Sequence, residues 1–119
     1  MIPEEISAGL RAELEASDAR VRFDFPRWLR PLLLREVAAI TLGRRIYVTP
    51  LIIERPLAEI EALLRHELTH VRQAARLGVV VFICRYGAEY IRLRLLGRTG
   101  PQAYREISFE QEAFEAEEE

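Results

Sequence analysis

Between Pro56 and Gly78 the apolar positions Ile60, Leu64, Leu68, Val71 and Ala75 recur every three or four residues. That spacing predicts a helix with one buried face. Pro56 suits its first turn, Gly78 its stop, and Arg72 and Arg76 its C-terminal turns. Upstream, Ile6, Leu10 and Leu14 predict a short helix, whereas Val21, Phe23 and Phe25 alternate with polar residues as a half-buried strand does. The stretch PRWLRPLLL, with two prolines and a tryptophan, reads as a turn or short helix capping the core. Two β-favouring runs, Val37–Thr41 and Arg45–Val48, flank Leu42-Gly43-Arg44 and predict a hairpin. Pro50 and the paired arginines place Arg45–Val48 on an exposed sheet edge. Residues 79–96 predict another helix, ended by GRTGP. Ser108 and Gln111 then have capping-box spacing, so a last helix is expected to begin at Phe109 with Glu110 in its first turn. The expected fold is α+β: one domain over 1–119, with an N-terminal helix and connecting segment (1–36) before the main body (37–118).

Composition narrows the function. A chain of 119 residues, half of them hydrophobic and 30% charged, suits one globular domain with a real core. A net charge of −2 offers no basic excess for nucleic acid, although all 17 basic residues are arginine. The lone Cys84 excludes a disulfide framework within the chain and a cysteine-rich zinc cluster, and it is expected to pack as a small hydrophobe. The acidic N-terminus lacks a signal-peptide core, and LGVVVFIC is too short to span a bilayer. These features set the expectation of a cytoplasmic chain without a membrane partner.

Residues 65–70 read RHELTH and contain the only two histidines. Four residues apart on a helix, His66 and His70 share a face and can direct ring nitrogens at one metal ion. Glu67 lies one step round, placed to accept a proton from a water that zinc has acidified, as peptide hydrolysis without a covalent intermediate requires. Three such residues inside a well-bounded helix form a specific signal. The alternative is a pair of half-exposed histidines ion-paired to nearby acids. A catalytic zinc takes three protein ligands. Gln73 and Arg76 occupy the positions where a third histidine pattern would put glycine and histidine, so the remaining candidates are Glu89, Glu106, Glu110 and Glu112.

HELTH followed by a glutamate on a later helix resembles the gluzincin metallopeptidases. The stretches AITLGRRIYVTP, LLRHELTHVRQ and ISFEQEAFEAE are also similar to compact HExxH domains found near bacterial toxins and contractile injection systems. The resemblance spans residues 37 to 118 and implies a zincin-like fold, one zinc per chain and a peptide or protein substrate. FEQEAF matches the family's Glu-x-x-Ala pattern and implies Glu110 as third ligand, although Phe114 replaces the aspartate that follows. The resemblance also implies a substrate-binding edge strand, taken here as Arg45, Ile46, Tyr47 and Val48. It implies a transition-state donor too, for which Tyr86, Tyr90 and Tyr104 qualify by type and Tyr104 is favoured by its position before Glu110. A non-catalytic zinc module, or a protease kept latent by its N-terminal segment, is the second expectation.

Overall fold

Helix α2 (Leu57–Leu77) is the element around which the others are arranged. The computed structural model describes residues 6–29 and 38–118. In chain order it contains α1 (Ala8–Ala16), β1 (Arg20–Arg22), β2 (Ala39–Leu42), β3 (Arg45–Val48), a 3-10 turn over Pro50–Glu54, and α2. Then follow α3 (Val79–Leu95), α4 (Gly100–Glu106) and α5 (Ser108–Ala116). The fold is α+β, as its sequence pattern predicts.

One side of α2 meets the sheet and α1. Ile60, Leu64, Leu68 and Val71 form a core with Ile6, Leu10 and Leu14 of the N-terminal segment and with Ile46, Val48 and Ile52. The predicted stripes of both helices are therefore real, except at their far end, where Ala74 is buried and Ala75 exposed. Because Ile6, Leu10 and Leu14 belong to this core, the N-terminal helix packs as part of the fold. Ser7 caps α1 by accepting from the Leu10 amide.

The sheet departs from expectation. Its order is β1-β3-β2, with β1 parallel to β3 and β2 antiparallel to it. The hairpin forms, and Gly43 takes the left-handed conformation (φ 63°) that its tight turn demands. Yet β3 is the central strand, paired on both sides. Ile46, Tyr47 and Val48 are buried. Burial at three consecutive positions shows that β3 is covered on both faces, and the edge signals of Pro50 and the arginines do not keep β1 from pairing along it. β1 is also shorter than the Val21–Phe25 alternation suggests; Phe23 packs on the core from beyond its end. Val37, the predicted start of β2, and residues 30–34 of PRWLRPLLL lie outside the described residues. Pro26–Leu29 forms a turn with Leu29 buried.

Gly78, at φ 87°, turns the chain sharply from α2 into α3, which then runs back beside α2. The GRTGP break hides a helix: Thr99 and Gln102 form a capping box that starts α4. At Ser108 the predicted box is absent. α5 starts at Ser108 itself, whose amide and hydroxyl both donate to Glu89 of α3. No helix among the described residues is long and apolar enough to cross a membrane.

Leu64 is 1% exposed at the centre of the core. Leu64→Ala is expected to lower unfolding stability by about 2–5 kcal/mol in a urea titration. A loss under about 1 kcal/mol would contradict this placement of the core.

Candidate metal centre

The face of α2 opposite the hydrophobic core carries His66 and His70, and α5 packs against it. His66 Nε2 lies 2.8 Å from Glu110 Oε1, and His70 Nε2 lies 2.9 Å from the same oxygen. All three side chains are buried, at 3–7% exposure. Their candidate ligand atoms lie within 4.8 Å of one another, the one such cluster among the described residues. Half-exposed histidines paired to surface acids do not describe this arrangement.

Helical geometry supplies the two histidines, and tertiary packing supplies Glu110. Residue 110 falls in the first turn of α5, on the side that also buries Phe109 and Ala113. The rival acids are engaged elsewhere. Glu89 caps α5 through Ser108, Glu106 pairs with Arg98 at 2.9 Å, and Glu112 accepts from Gln73 at 3.1 Å.

The donor set fits a cation. His70 Nδ1 is 2.9 Å from Gln73 Oε1, and His66 Nδ1 is 2.7 Å from Glu117 Oε2. Both partners are oxygen acceptors, so each Nδ1 carries the proton and each neutral ring turns the lone pair of Nε2 inward. Two lone pairs and a carboxylate oxygen then converge on one buried point. Such acceptors repel unless a positive charge joins them, either protons on the rings or a metal ion. Two imidazoles and a carboxylate are a zinc donor set.

The titration behaviour has the same origin. Burial alone would depress both histidines, but hydrogen bonds to Glu110 and the charges of Glu67 and Glu110 raise them above 6.5. Burial pushes Glu110 up, yet its bonds to His66, His70 and Tyr86 bring it down to about 2.

Glu67 is 6% exposed and stands beside the cluster without belonging to it. Thr41 of β2 donates to its Oε2 at 2.7 Å, a tether that the sequence reading lacked. Burial raises the Glu67 carboxyl above its ordinary value, with His70, Thr41 and His66 opposing.

Two of the three tyrosines lie beside Glu110. Tyr86 donates to Glu110 Oε2 at 2.5 Å, and its hydroxyl is held protonated by burial and the Glu110 charge. Tyr104, favoured by sequence position, is 39% exposed and stacks edge-on against Phe114, and its hydroxyl is raised by burial, by the charges of Glu110 and Glu67, and by a hydrogen bond to Glu110. Tyr90 accepts from Arg94 on the surface. Position along the chain pointed to Tyr104, and helical phase on α3 brings Tyr86 to Glu110 too. Phe114 packs its ring on His66. Arg45 is exposed, and the rest of β3 is committed to the core and to its two neighbouring strands. Cys84 is exposed and takes no part in the cluster.

A family model described as the eCIS core domain matches residues 2–78, about two thirds of the chain. The match includes His66, Glu67 and His70 and ends before α3, so Glu110 lies beyond it. No curated protein and no solved structure matches the chain.

Protons and metal compete for the same two Nε2 atoms. With both histidines raised above 6.5 and Glu110 ionised down to about 2, zinc affinity should fall with acidification. Chelator competition is expected to show a loss approaching roughly 100-fold per pH unit once both rings must release a proton. Affinity that does not change from about pH 8 to pH 5 would contradict ligation by these rings.

Proposed function

The chain belongs to the eCIS core domain family, a compact domain associated with extracellular contractile injection systems, and from the geometry of its buried cluster we propose that it is a zinc-dependent peptidase. The observation that carries the proposal is the buried convergence of His66, His70 and Glu110 with Glu67 poised alongside. His66, His70 and Glu110 would hold the zinc. When bound, zinc supplies Lewis acidity, polarising a peptide carbonyl and making a water acidic enough to lose a proton near neutral pH.

The chain's own groups do the rest. Glu67 accepts the proton from the attacking water and later delivers it to the leaving amine. Burial raises its pKa above the ordinary carboxyl value, which makes it a stronger base toward the water than an exposed glutamate. Thr41 holds one carboxylate oxygen and so fixes the rotamer, leaving the other for the water. Two hydroxyl donors stand beside the ligands: Tyr86, 2.5 Å from Glu110 Oε2, and Tyr104, whose hydroxyl also interacts with Glu110. An extended substrate would lie along β2 and not β3. Among the described residues β2 is paired on one side only, and Thr41 links it directly to Glu67.

A second reading, a zinc-stabilised module without turnover, is favoured by the low exposure of the site. Glu67 and the three ligands show 3–7% of their surface, which leaves little room for a substrate without movement. The two readings part on one variant. Glu67→Gln should keep zinc and lose about 10²–10⁴-fold in the hydrolysis of fluorogenic peptides. Equal turnover in wild type and Glu67→Gln overturns the peptidase; no turnover in either, with zinc bound in both, supports the module.

A further inference from the structure

We infer that Gln73 and Glu117 are positioning residues that set the direction of the two histidine lone pairs, and that the start of α5 controls Gln73. The inference rests on the metal-site reading above and deepens it. Phe114 stands where the gluzincin pattern has an acidic residue, so the rings need another means of orientation.

Gln73 is 1% exposed, and its amide has a forced orientation. Nε2 lies 3.0 Å from the Phe109 carbonyl and 3.1 Å from Glu112 Oε1. A carbonyl and a carboxylate both accept, so the amide nitrogen must face them and donate to both. Oε1 must then face His70 Nδ1, 2.9 Å away, and that nitrogen must carry the ring proton. The phase of α5 is thereby transmitted to His70. Phe109 and Glu112 belong to the same helix as Glu110, so one rigid element places the third ligand and fixes the tautomer of the second.

Glu117 performs the corresponding task for His66 in a different way. It sits at the C-terminal cap of α5, seven residues after Glu110, with its Oε2 2.7 Å from His66 Nδ1. Its side chain is about one-third exposed (32%), and it is charged where Gln73 is neutral. A carboxylate on Nδ1–H makes the ring a better donor through Nε2. The two rings are thus oriented by partners of unequal strength, an amide within the core and a carboxylate at the surface.

The test uses the whole chain and zinc itself. Zinc affinity is measured by chelator competition for wild type, Gln73→Met, Glu117→Ala and Glu117→Gln, with folding of each checked by circular dichroism. Gln73→Met and Glu117→Ala are each expected to lose about 10–100-fold in affinity. Glu117→Gln, which still offers an oxygen to Nδ1, should recover most of that loss. Affinities within about twofold of wild type in both Gln73→Met and Glu117→Ala overturn the inference. If Gln73→Met does not fold, the wild-type tautomer decides: a His70 ring protonated at Nδ1 is expected, and one protonated at Nε2 alone overturns the assignment.

Long-range ¹H–¹⁵N spectra separate positioning from a general structural role. Both rings should carry a slowly exchanging Nδ1–H, with the His70 signal lost in Gln73→Met and the His66 signal lost in Glu117→Ala. Metal-free protein gives the same readout. If wild type binds no zinc the metal reading fails, while signals unaffected by either substitution overturn the positioning roles.

Discussion

Three oxygen- and nitrogen-centred acceptors meeting at one buried point cannot coexist without a positive charge between them. His66 Nε2, His70 Nε2 and Glu110 Oε1 form that point, with separations of 2.8 and 2.9 Å and almost no solvent. Desolvation makes an unbalanced arrangement there expensive, and it makes a balanced one strong. The placement of α2 and α5 follows from the same requirement. α2 must present one face to the hydrophobic core and the opposite face to the site, so it is covered along most of its second half. α5 must approach closely enough for a short carboxylate to reach both rings.

The supporting contacts reinforce that geometry from several directions. Thr41 reaches Glu67 from the sheet, Tyr86 reaches Glu110 from α3, and Gln73 ties α2 to the first turn of α5. Ser108 and Glu89 fix where α5 begins. Among the described residues, no donor or acceptor on a buried side chain is left without a partner. Such closure favours a well-defined site, and it also explains why the ligands and Glu67 show so little surface. A peptidase built this way needs some opening motion to admit a substrate, whereas a structural zinc module needs none.

The legible part of this molecule was whatever is encoded locally. The stripe Ile60-Leu64-Leu68-Val71, the N-terminal stripe and the hairpin around Gly43 follow from periodicity and turn chemistry, and all three are present. HELTH is local as well, since four residues on a helix determine whether two rings share a face. Glu110 came from a family resemblance together with its predicted place in a helical first turn. What was not legible depends on the third dimension. Nothing within Arg45–Val48 announces that β1 returns parallel to it and makes it central. Chain order pointed to Tyr104, and the helical phase of α3 brings Tyr86 to Glu110 as well. Thr41 and Gln73 lie 26 and 36 residues from the partners that give them meaning. α4 was missed because a glycine and a proline at its start read as a break, although Thr99 and Gln102 carried its cap.

The eCIS core domain match covers the histidines and Glu67 but not Glu110, so a three-residue metal site depends on α5 completing it. Crystals grown with zinc and measured at the zinc absorption edge would locate the ion directly. The account predicts a single anomalous peak about 2.0–2.2 Å from His66 Nε2, His70 Nε2 and a Glu110 carboxylate oxygen. A peak lacking Glu110, or zinc found only elsewhere on the chain, would contradict it.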